Sequence, residues 1–131
     1  MKVLTFFLLI VCVFCGILLI SDLRTFFDPF SLTIVILPVI ASIPARHGFE
    51  GFGNLFKEDE ERKKVLNTMG ATGIIAGVLG TQIGFVTMLS SLENKSAIGD
   101  SMASSLLSSF YGVFIFLLTT ILAHFILGKE S

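Results

Sequence analysis

Charge is what this sequence has least of. Only 15% of its 131 residues are charged, where a soluble domain of ordinary composition carries about a quarter, and mean hydropathy stands at +0.90. A chain with so few solvated groups cannot cover a water-facing globule, so it reads as an integral membrane protein. An excess of positive charge is missing too. The formal net charge is −1, and without a basic footprint nucleic acid is not an expected partner. Cysteine is confined to Cys12 and Cys15. A C-x-x-C pair serves redox or metal chemistry when further ligands accompany it. Here the neighbours are Phe, Val and Leu, and the pair reads as two small packing residues. Paired carboxylates and metal-ligand clusters are lacking, and His124 lies about four helical turns from Ser109 on the same apolar segment. An enzyme is therefore not expected, nor a bound cofactor or metal.

What the chain does have is apolar length. Four segments stand out, at about 3–20, 29–45, 70–89 and 102–127, and about 20 helical residues cross a bilayer. The first imitates a secretory signal, but its apolar part is longer than the usual core of about 7–15 residues and no A-x-A-like site follows it, so it reads as a retained span. The second opens with Asp28 as N-cap and Pro29 at the first helical position, with a kink expected at Pro38. The expectation is one all-α domain, 1–131, with four transmembrane helices. Residues 46–67 form a short charged loop, in which Glu58 precedes Arg62 and Glu60 precedes Lys64 by four, an order that favours helix. The third helix is thus expected to extend beyond the membrane. In a four-span chain Lys2, Arg46, Lys57, Arg62, Lys63, Lys64 and Lys129 share one side and only Arg24 and Lys95 take the other. Positive charge stays inside, which puts both termini and the 46–67 loop in the cytoplasm.

The third segment carries glycines at 70, 73, 77, 80 and 84, a rhythm that places all five on one helical face. Lipid tails are as apolar as leucine, so helices in a membrane associate through close backbone contact, which small residues allow. The fourth segment opens with Ser101, Ser104, Ser105, Ser108 and Gly112 at similar spacing, with Ser109 alongside. A hydroxyl within a span commonly bonds back to the carbonyl one turn earlier. Thr81, Ser108 and Ser109 at similar depth could instead line a narrow path, their oxygens replacing part of a cation's water shell. The middles of all four segments hold no Asp, Glu, Lys or Arg. Ion-coupled machines usually hold a titratable carboxylate in the membrane, so here it would come from another polypeptide.

The stretch "GVLGTQIGFVTMLSSLENKSAIGDSMASSLLSSFYG", residues 77–112, resembles the paired pore helices of the MotA/TolQ/ExbB proton-channel family, flagellar stator A-subunits above all. Gly80, Thr81, Gly84 and Leu89 fit the first half of its pattern. Ile98, Gly99, Met102, Ala103, Leu106, Leu107, Tyr111 and Gly112 fit the second, with Ser108 and Ser109 in place of two threonines. The run "DPFSLTIV", residues 28–35, resembles the family's entrance to span two. The resemblance implies a homopentamer in the bacterial inner membrane around two copies of a MotB-, TolR- or ExbD-like partner, whose single span carries an aspartate that takes a proton or sodium ion. It implies that Thr81, Ser108 and Ser109 face the ion path, and that Gly77, Gly80, Gly84, Gly112 and Tyr111 pack beside it. Three features depart from the pattern. The 46–67 loop is far shorter than the cytoplasmic region of flagellar members, Asp100 stands where the family has proline, and the proline late in the fourth span of flagellar members is absent. The glycine and serine faces by themselves serve a partnerless membrane oligomer, a holin-like pore or a scaffold, equally well.

Overall fold

The computed structural model describes residues 2–20, 26–57 and 59–127. They form five helices: α1 (Lys2–Ile20), α2 (Pro29–His47), α3 (Gly51–Asn54), α4 (Asp59–Ser90) and α5 (Lys95–Leu127). No strand occurs among the described residues. Among the described residues, three stretches are long and apolar enough to cross a bilayer: Pro29–His47, Glu60–Ser90 of α4 and Lys95–Phe125 of α5. Helix α1, 19 residues long, touches α5.

Local chemistry sets the helix ends. Asp28 caps α2: its carboxylate accepts from the backbone N–H groups of Phe30 and Ser31, both at 3.3 Å, while Pro29 fills a first-turn position whose N–H would have no helical partner. The helix continues through both Pro38 and Pro44 and stops at Gly48. There the backbone turns to φ 69° and ψ 178°, a region that only glycine enters freely, and the Gly48 N–H still reaches the Pro44 carbonyl at 3.0 Å. The chain then folds back tightly enough that a Cβ on Gly51 would lie 2.8 Å from that of His47. His47 ties this corner to α4. The Thr68 hydroxyl donates to the Lys64 carbonyl, which leaves its oxygen to accept from His47 Nε2 at 3.0 Å. Glu58, expected to pair with Arg62, lies outside the described residues, as does Arg24.

Helices α4 and α5 form a long antiparallel hairpin, and their contact is by far the most extensive among the described residues. The turn between them is shorter than the apolar pattern suggests. Asn94 starts α5 well ahead of the apolar run by accepting from Ser96 through both its N–H and its hydroxyl, at 3.3 and 2.8 Å. Helix α2 lies across this hairpin with Ser31, Val35, Val39 and Ile43 buried. Their spacing of four residues makes one stripe on the helix.

Candidate functional site: the seam between α4 and α5

All five glycines of α4 face α5, and their partners descend along α5 as α4 ascends. A Cβ on Gly70 would run into Thr119 and Phe116; on Gly73 it would meet Ile115 and the Gly112 carbonyl; on Gly77, the Gly112 Cα and the Ser108 carbonyl, each at 3.0 Å. On Gly80 it would strike Ser108 Cβ at 2.6 Å, and on Gly84 the Ser105 side chain and Cα. From the other side, a Cβ on Gly112 would lie 2.5 Å from the Gly73 oxygen. The two helices therefore pack closely over about four turns, with α5 backbone atoms against Gly73, Gly77 and Gly84, the contact that small residues permit in a membrane.

This seam gathers most of the residues singled out by the sequence. Gly77, Gly80, Gly84, Ser108 and Gly112 all lie in it, and Thr81 sits on its edge, half-buried. The Thr81 hydroxyl is within hydrogen-bonding reach of its own helix at the Gly77 carbonyl, 2.9 Å away, and of α5 at the Ser105 carbonyl, 3.1 Å away. One proton cannot serve both fully, so this is a hydroxyl with a choice of acceptors across the seam. Ser108 is 1% exposed and donates to the Ser104 carbonyl at 3.0 Å. Ser105, fully buried, donates to Ser101 at 2.7 Å. Both make the back-bond to the preceding turn that is common for hydroxyls in spans. Ser109, half-buried, points about 100° around α5 from Ser108. Tyr111 reaches away from the seam: its hydroxyl donates to the Phe26 carbonyl and accepts from the Asp28 N–H at 3.2 Å.

The same corner holds a carboxylate, that of Asp28. Asp28 Oδ2 accepts from the Ser31 hydroxyl, and that hydroxyl also lies 2.9 Å from the Ser104 carbonyl of α5. Burial would push the Asp28 carboxyl up, but hydrogen bonds from the side chains of Ser31 and Ser104 and from the N–H groups of Ser31 and Phe30 outweigh it and hold it below the ordinary value.

Gln82 is a residue that sequence reasoning left without a role. It stands two positions past Gly80, hence about 200° around α4, on the face opposite the seam. There it is exposed beside Val78, Leu79, Phe85 and Val86. Moving an amide from water into hydrocarbon without partners costs about 4–8 kcal/mol. A mid-span amide pointing out of the chain thus marks a face where another hydrogen-bonding group is called for. The signal was in the sequence, as a lone amide in an apolar run, but which way it pointed was not.

The matching family model, that of the MotA/TolQ/ExbB proton channel family, covers residues 50–130, which is more than half of the chain and includes the whole seam. The chain belongs to this family. Within the MotA/TolQ/ExbB family it is similar to Motility protein A of Treponema pallidum (strain Nichols), 44% identical over 48 residues, which are 37% of this chain and 18% of that protein. It is also similar to Motility protein A of Borreliella burgdorferi, 42% identical over 57 residues, 40% of this chain and 22% of the relative. The chain thus matches only about a fifth of the length of these curated relatives. No solved structure matches it. Family membership together with three apolar helices of spanning length makes it a multi-pass membrane protein.

Proposed function

We propose that this chain is the ion-conducting subunit of a stator driven by a proton or sodium gradient. In this reading α1 is a fourth span, both termini and residues 46–67 face the cytoplasm, and the protein sits in the bacterial inner membrane. Five copies surround two copies of a single-span partner whose membrane aspartate carries the ion. The observation that carries the reading is the α4–α5 seam, which the family model covers in full. It holds Thr81 at mid-span with its hydroxyl shared between carbonyls of two helices. A hydroxyl that can release either acceptor is able to turn its oxygen toward a passing cation, and in this reading the same path takes in Ser108, buried in the seam beside Gly80, and the half-buried Ser109 one position on along α5. No carboxylate lies within α2 or in the apolar parts of α4 and α5, which suits an acid supplied by the partner. Gln82, on the opposite face of α4, meets a neighbouring polypeptide of the assembly. Each charge crossing 100 mV releases about 2.3 kcal/mol, so work on the load accumulates over many passages.

Purification with the partner, a subunit count by cryo-EM and flux of H+ and 22Na+ in proteoliposomes test this together. Five copies around two are expected, with Thr81→Ala plus Ser109→Ala lowering flux at least tenfold, about 1.4 kcal/mol of barrier. A partnerless oligomer of another symmetry, or unchanged flux in the double variant, refutes the reading and favours a holin-like pore or scaffold.

A further inference from the structure

Two hydroxyls, a backbone carbonyl and one carboxylate form a connected set at the α2–α5 contact. The Ser104 carbonyl lies within reach of the Ser108 hydroxyl at 3.0 Å and the Ser31 hydroxyl at 2.9 Å. As a residue inside α5 it also takes the helical N–H of Ser108. A carbonyl oxygen has two lone pairs, so three donors compete for it. The Ser31 hydroxyl, fully buried, has one proton and two acceptors, this carbonyl and Asp28 Oδ2.

We propose that Ser31 and Asp28 are positioning residues that set how firmly the Ser108 hydroxyl is held to its own helix. When the Ser31 proton turns to Asp28, the Ser104 carbonyl is left to Ser108 and the back-bond tightens. When it turns to Ser104, the Ser108 hydroxyl is displaced and free to reorient. A carboxylate draws a proton more strongly than a neutral acceptor does, so the charge on Asp28 biases the set toward the tight state. This rests on the reading of Ser108 as part of the ion path. Neither Ser31 nor Asp28 touches the ion itself.

The arrangement makes two substitutions act in opposite directions, which a purely structural role would not do. Asp28→Asn keeps a good N-cap but weakens the pull on the Ser31 proton, so Ser108 is released more often. Ser31→Ala removes the competitor, so Ser108 stays bound. In the complex with its partner, reconstituted in liposomes, the concentration of H+ or Na+ giving half-maximal flux is expected to fall about threefold in Asp28→Asn and to rise about threefold in Ser31→Ala, scaled to assembled oligomer. Equal half-saturation in both variants and wild type overturns the proposal, as do shifts of the same sign. If one variant fails to assemble, the sign of the other decides. The Thr81→Ala plus Ser109→Ala double variant, run in parallel, separates the two levels. Lost flux there with no shift in Ser31→Ala and Asp28→Asn leaves the path standing and the positioning role refuted. Unchanged flux in the double variant refutes the path itself.

Discussion

Replacing Gly112 with alanine tests the seam most directly. The new Cβ would lie 2.5 Å from the Gly73 oxygen and 2.9 Å from the Gly77 Cα. Both are backbone atoms of α4, so no side chain can turn aside and the helices must part. Carbon contacts settle at about 3.5–4.0 Å, which calls for a local separation of roughly 1 Å, and a gap of that size forfeits about a quarter to a half of each neighbouring contact. Overpacking costs about 1–3 kcal/mol, and backbone against backbone belongs at the upper end. Alanine's better helix propensity returns about 1 kcal/mol. The net loss is then about 2 kcal/mol, up to thirtyfold in the folded-to-unfolded ratio. Gly99 is the control. It also lies in α5, but nothing comes within 4 Å of its added Cβ, so Gly99→Ala should gain up to about 1 kcal/mol. Reversible unfolding of the isolated chain in detergent micelles, followed by circular dichroism, reads both. If Gly112→Ala proved as stable as Gly99→Ala, the close approach of α4 and α5 would be refuted.

Three further outcomes follow from single residues. Gly48→Ala should cost about 1–3 kcal/mol because of the glycine-only backbone angles at that position, and Gly48→Asn should do no better, since asparagine tolerates the left-handed helical region rather than this one; unfolding in micelles measures both. Gln82→Leu should leave the stability of the isolated chain unchanged but weaken the assembly up to about tenfold, the upper range for one hydrogen bond between membrane helices, as read by dilution-induced dissociation in detergent. Thr68→Val should remove the bond that accepts from His47 at 3.0 Å and cost about 1 kcal/mol, seen as faster hydrogen exchange at the α2–α3 corner.

What the sequence determined alone is what depends on near neighbours along the chain or on helical period. Asp28 and Pro29 announce the start of α2 because a cap needs only residues two and three positions on. The five glycines of α4 declare a common face because the helix repeat fixes it, and the pattern of residues 77–112 carried the family. The tertiary structure decided what those faces meet. That Gly77 opposes Gly112 and Gly84 opposes Ser105 depends on where the tight turn at residues 91–94 closes the hairpin, a matter of depth that period alone leaves free. The same holds for the reach of Thr81 to the Ser105 carbonyl, for Tyr111 holding a backbone segment 85 residues earlier, and for Gln82 pointing out of the chain. Helical period orders residues around an axis, but only packing against a second helix assigns those directions a neighbour.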